Sequence, residues 1–167
     1  MKRFLMAAAA AAALSASFVM PAAAQNRTVI TQDGSANGAA SVQNGRENRT
    51  IIGQNGRRNY SRAVQDGRRN FIRMEQAGSR NEAVTEQAGR DNLAVTGQDG
   101  RRLSAGIYQN GRGNVSGVAQ IGNGSVATTD QVGTNNTTGV IQVGNGHDAD
   151  VVQRGNGNIT VVVQGGQ

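Results

Sequence analysis

The chain has 167 residues, with 24 Gly, one Pro and no Cys; it is 3% aromatic and carries a formal charge of +6. Without Cys there is no disulfide-stapled small fold. Scattered Val, Ile and Ala among Gly, Asn and Gln supply too little apolar area for a conventional globular core. Composition alone suggests disorder, so order has to come from repetition.

Residues 1–24 place Lys2 and Arg3 before an Ala-rich apolar run and end on Ala22-Ala23-Ala24, the pattern of a secretory signal peptide cleaved ahead of Gln25. A short membrane anchor is the competing reading, but the run is brief and is followed by a processing site. The mature chain then carries +4, unevenly: residues 25–112 hold 14 Arg against 8 acids, and 113–167 hold Arg154 against Asp130, Asp148 and Asp150. A short N-terminal segment, 25–31, precedes the repeats.

From residue 32 to 167 one frame governs the sequence. Gln recurs every eleven residues, at Gln32, Gln43, Gln54, Gln65, Gln76, Gln87, Gln98, Gln109, Gln120, Gln131, Gln142, Gln153 and Gln164. Gly follows two residues later, at Gly34, Gly45, Gly56, Gly67, Gly78, Gly89, Gly100, Gly111, Gly122, Gly133, Gly144, Gly155 and Gly166. Asn follows five residues after Gln at Asn37, Asn48, Asn59, Asn70, Asn81, Asn92, Asn114, Asn136 and Asn158, with Leu103, Ser125 and His147 as the exceptions. Seven residues after Gln the side chain is small, except at Ile72.

Eleven residues close about three α-helical turns. A helix is nonetheless excluded, because every unit carries Gly, Asn and β-branched residues with no apolar stripe to compensate. Strand alternation fits instead: in "QVGTNNTTGVI" (131–141), Asn136, Thr138, Val140 and then Gln142 form one face. Each unit reads as a strand of about seven residues and a four-residue bend in which Gly supplies positive φ. The expected fold is all-β: a β-solenoid, or β-helix, of two facing parallel sheets. Its 22-residue coils each join two 11-residue strand-turn units, giving about six coils. Stacking at about 4.8 Å aligns the Gln residues in two ladders whose amides bond from coil to coil.

The unit Gln-x-Gly-x-x-Asn-x-Ala-x-x-x-Gln, intact at 76–87 and 87–98, resembles the curlin repeat of curli subunits, and the likeness spans 32–167. The resemblance implies a secreted bacterial β-solenoid that polymerises into extracellular amyloid fibres at the cell surface, serving biofilm formation, adhesion and colonisation. It also implies assembly driven by the inward Gln and Asn ladders, other curlin-like subunits as partners, and export through a curli-type outer-membrane secretion pore. The uniform unit and abundant Arg are closer to the minor, nucleating subunit than to the major one.

The ladder begins near the mature N-terminus and runs to "VVVQGGQ", so both ends are expected to template further copies, head to tail. Units 109–163 combine Gly, Asn, Val, Ile and Thr with few charges, a strongly assembling composition. Units 43–108 carry Arg62, Arg73, Glu75 and Glu86 on outward positions, where charges restrain premature association. Arg57, Arg58, Arg68, Arg69, Arg101 and Arg102, at bends, are candidate contacts for polyanions such as DNA or lipopolysaccharide, or solvated turn charges. Asp follows the ladder Gln only at 33, 66 and 99, too sparsely for a Ca²⁺ roll. His147 has no second His, Cys or carboxylate pair beside it in the frame, so no catalytic or metal site, cofactor or small-molecule substrate is expected. The alternative function is a soluble solenoid acting as an adhesin or polyanion-binding matrix protein.

Overall fold

The structure is a computed structural model and describes residues 25–166; the signal peptide expected over 1–24 lies outside the described residues. Thirteen strands follow one another: β1 (Arg27–Ser35), β2 (Gly38–Arg46), β3 (Arg49–Arg57), β4 (Tyr60–Arg68), β5 (Phe71–Ser79), β6 (Glu82–Arg90), β7 (Leu93–Arg101), β8 (Ser104–Arg112), β9 (Val115–Asn123), β10 (Val126–Thr134), β11 (Thr137–Asn145), β12 (Asp148–Asn156) and β13 (Ile159–Gly166). Odd strands stack into a seven-stranded sheet and even strands into a six-stranded sheet. All pairs are parallel and offset by one coil, so that like meets like: Gln54 opposes Gln76 and Gly56 opposes Gly78. The fold is the all-β solenoid that the eleven-residue frame predicts.

Strands and corners divide differently from the sequence reading. Strands span nine residues in twelve of the thirteen cases, and two residues make each corner. The stretch Gln-x-Gly-x belongs to the strand because each Gly pairs with the Gly of the next coil. Residues 27–31, expected to precede the repeats, are the front of β1.

Alternation sets the interior. In β3, Thr50, Ile52 and Gln54 are buried and the residues between them are partly open. Two apolar columns run up the narrow core, one through Ile52, Met74, Val118 and Val140 and the other through Ala63, Ile107 and Val151. Small side chains two positions after the corner Asn, such as Ser61, Ala83 and Ala94, are buried and bring the sheets together. Each column is covered only where another coil lies on it, so Ile30 in the first coil remains 41% exposed. Thr96 interrupts one column, and its hydroxyl is buried without a partner.

Candidate functional site

The ladder glutamines sit at the same inward position of every strand. In the seven-stranded sheet, Nε2 donates to the next coil's Oε1 from Gln32 through Gln54, Gln76, Gln98, Gln120 and Gln142 to Gln164, at 2.6–2.9 Å. In the six-stranded sheet the same bond runs from Gln43 through Gln65, Gln87, Gln109 and Gln131 to Gln153, at 2.8–3.0 Å. Every bond points the same way along the axis. The Nε2 group also donates across the core to a backbone carbonyl opening a strand of the facing sheet, as Gln54 does to Gly38 and Gln142 to Val126. One amide thus joins coils and sheets, which is how a polar group is accommodated in a dry interior.

Corner asparagines do a different job. Asn70 donates from Nδ2 to the Gly89 carbonyl of the next coil at 3.1 Å, and to Asp66 O in its own corner at 3.4 Å. Its Oδ1 accepts the Asn92 N–H at 3.1 Å. Asn37, Asn48, Asn59, Asn81, Asn92, Asn114 and Asn136 repeat this set, while Asn158, in the last corner, makes part of it. Asn26, not singled out from the sequence, belongs with them: its Oδ1 accepts from Asn48 N and its Nδ2 donates to Gly45 O. Counting eleven back from Asn37 was the signal that would have found it.

The three exceptions share one corner column. The Leu103 side chain accepts no bond from the coil above, but the Leu103 N–H still donates to Asn81 Oδ1 at 3.1 Å. Ser125 Oγ takes the His147 N–H, and His147 Nε2 reaches the Val143 carbonyl as an Asn amide would. The opposite column, Asn26 to Asn158, is unbroken.

Glycine at the third strand-end position is required on two grounds. Gly56 has φ of 123°, where an L side chain is strained. A Cβ built on Gly56 would also lie 1.9 Å from Gly78 O of the next coil, and Gly34, Gly45, Gly67, Gly78, Gly89, Gly100, Gly111, Gly122 and Gly133 meet the same obstruction at 1.8–2.0 Å. Gly144 meets Gly166 O at 2.1 Å, whereas Gly155, with no coil above it, has only Asn158 Nδ2 at 3.5 Å. The left-handed residue of each corner is the one after the strand, with φ of 54–59° at Ala36, Glu47, Arg58, Arg69, Arg80, Asp91, Arg102 and Asn135.

The six bend arginines do not form one group. Arg57, Arg58, Arg101 and Arg102 stack with Arg80 along one edge, where Ser35, Ala36, Arg57, Arg58, Ser79, Arg80 and Arg101 line a cleft of about 360 Å³. Among the described residues none of these five arginines is in an ion pair. Arg68 and Arg69 lie on the other edge, where Arg46, Arg68, Arg90 and Arg112 follow one another at coil spacing, with Glu47 and Asp91 in the neighbouring corner positions; Arg69 grips Asp91 through two bonds of 2.7 and 3.0 Å. The Arg69 hydrogen bond holds the Asp91 carboxyl below the usual carboxylate range, and the same bond raises the Arg69 guanidinium. On the strand faces, Arg62 pairs with Glu86 and Arg73 with Glu75.

The curlin associated repeat matches residues 45–78, 67–100 and 123–155. No curated protein matches the chain. The matched segments cover more than half of the chain and fall on the coils whose Gln, Gly and Asn make the ladders, so the chain belongs to the curlin-repeat family.

Proposed function

We propose that this chain is a secreted structural subunit that self-assembles into, or nucleates, extracellular curli-like amyloid fibres serving biofilm, adhesion and colonisation, with export through a curli-type outer-membrane pore. One observation carries the reading. Both glutamine ladders have a direction and run through every described coil, so one end presents amide donors at Gln153 and Gln164 and the other presents Gln32 and Gln43. A second copy supplies the group each end lacks, and an open stack of such contacts grows without closing. The ladder glutamines and asparagines are then the assembly residues, the glycines set the spacing between coils, and the other members of the family are further partners. Incubating the purified mature chain at micromolar concentration tests this by thioflavin fluorescence and electron microscopy. Fibres are expected; persistent monomers that unfold cooperatively would point instead to a soluble adhesin.

A second reading concerns one edge only. The unpaired arginines 57, 58, 80, 101 and 102 form a basic stripe at coil spacing, suited to a linear polyanion such as DNA or lipopolysaccharide. Arg57→Ala with Arg58→Ala and Arg80→Ala is expected to weaken salt-sensitive DNA retention several-fold, and by more than Arg46→Ala with Arg68→Ala and Arg69→Ala, because Glu47 and Asp91 offset the charge of that edge. Filter binding at two salt concentrations checks it, and equal losses would leave the stripe as solvated turn charge.

A further inference from the structure

The number of strands constrains how two copies meet. Among the described residues seven strands stand in one sheet and six in the other, so β13 ends its sheet one level above β12. A second copy added without rotation would lay its β1 on β13 and leave the six-stranded sheet one strand short beside β12. That gap would leave two rows of backbone N–H and C=O groups unpaired inside the fibre, a heavy cost.

Resting on the fibre reading above, we infer that the second copy docks after a half-turn about the solenoid axis, its β1 pairing with β12 and its β2 with β13. Opposite sheets run in opposite directions around the coil, so the half-turn makes β1 parallel to β12. The shared frame makes the exchange of sheets invisible to the ladders. In register, Gln153 meets Gln32, Gln164 meets Gln43, Gly155 meets Gly34 and the corner Asn158 meets Asn37.

The outward residues supply an independent reason for this register. Along β12, Asp148 falls opposite Arg27, and Arg154, which reaches Asp130 of the coil below at 3.9 Å, falls opposite Asp33, so that opposite charges meet between exposed side chains at both positions. The unrotated register sets Arg27 against Ile159 and Asp33 against Gly165, with no pair at all. Within the core, Ile30, 41% exposed at the free end, comes to rest on Val151. On the other sheet Val161 and Val163, 65% and 68% exposed, meet Ala40 and Val42.

Each copy then advances about 31 Å, thirteen half-steps of the inter-strand spacing. The charge-free outer face of β9, β11 and β13 consequently alternates sides along the fibre, so neither side is continuously apolar.

Because the chain has no Cys of its own, single-cysteine variants report the junction directly. Fibres are grown from equal mixtures of Val161→Cys with Ala40→Cys, and of Val161→Cys with Val29→Cys, then treated with a short thiol-to-thiol cross-linker. The half-turn places 161 beside 40 on one sheet and sends 29 to the opposite face, so the first mixture is expected to give roughly tenfold more covalent dimer. Dominance of the second mixture, or fibres that yield neither product, would overturn the register. Failure of the unmodified chain to form fibres would instead remove the assembly reading on which the register rests.

Discussion

Glycine at a ladder position and glycine elsewhere in a strand are separate cases. Gly100 has φ of 145° and its added Cβ would sit 1.9 Å from Gly122 O, whereas Gly97 has nothing within 4 Å of that point. Gly100→Ala is therefore expected to destabilise the monomer by about 3 kcal/mol or more. Gly97→Ala should be neutral or stabilising by about 0.5 kcal/mol. Denaturant midpoints of freshly prepared monomer measure both. The repeat shows that glycine is fixed at this position and suggests positive φ as the cause. The stronger cause, a carbonyl from 22 residues further on, becomes visible only when the coils are stacked. The arginines show the same limit: Arg57 and Arg68 look equivalent along the chain, yet only the second edge carries Asp91, which pairs with Arg69. Folding lowers the Asp91 carboxyl, so the pair's contribution is present above the ordinary carboxylate value near pH 4 and fades as pH falls through the folded value. Asp91→Asn is expected to flatten the acid limb of a stability-against-pH curve slightly, the pair being exposed.

At the scale of the strand, the inward face was legible because its chemistry repeats: corner Asn, small residue, aliphatic or Thr, and Gln. The strand's length was not, because Gly normally ends strands and here continues one. The ladder has a mechanical consequence. Gln131 donates to Gln153 and Gln142 to Gln164, while each accepts from the coil below. Replacing both by Ala removes the inter-coil partner of the buried Gln109 and Gln120 amides, which keep only their bonds to Leu93 O and Ser104 O, and each N–H left unsatisfied costs about 1–3 kcal/mol. Assembly of Gln131→Ala with Gln142→Ala is accordingly expected to slow by about tenfold or more in thioflavin kinetics. Arg57→Ala with Arg58→Ala removes only exposed charge and should change the rate little. Equal effects would mean that the ladder does not limit growth. Reading the sequence at 22 residues instead of eleven would also have shown that Leu103, Ser125 and His147 stack in one column, leaving the other column wholly Asn.

For the whole molecule, the eleven-residue period implied the architecture with little further information, since a period-two pattern punctuated by Gly admits few stackings. The division between halves also survives in three dimensions: the seven corners that join β1 to β8 use Arg, Glu, Asp and Ala in the left-handed region, and most later corners use Gly. Parity was legible as well, since thirteen ladder glutamines divide seven and six between two sheets; the junction inferred from it, with Asp148 opposite Arg27 and Arg154 opposite Asp33, needs the register of the stacked coils. Electron cryomicroscopy of the assembled chain shows whether copies continue one another's sheets. The expected fibre has layers about 4.8 Å apart that keep the same two-sheet cross-section through every junction between copies. A fibre whose solenoids lie side by side, with the layers broken between copies, would contradict that continuity.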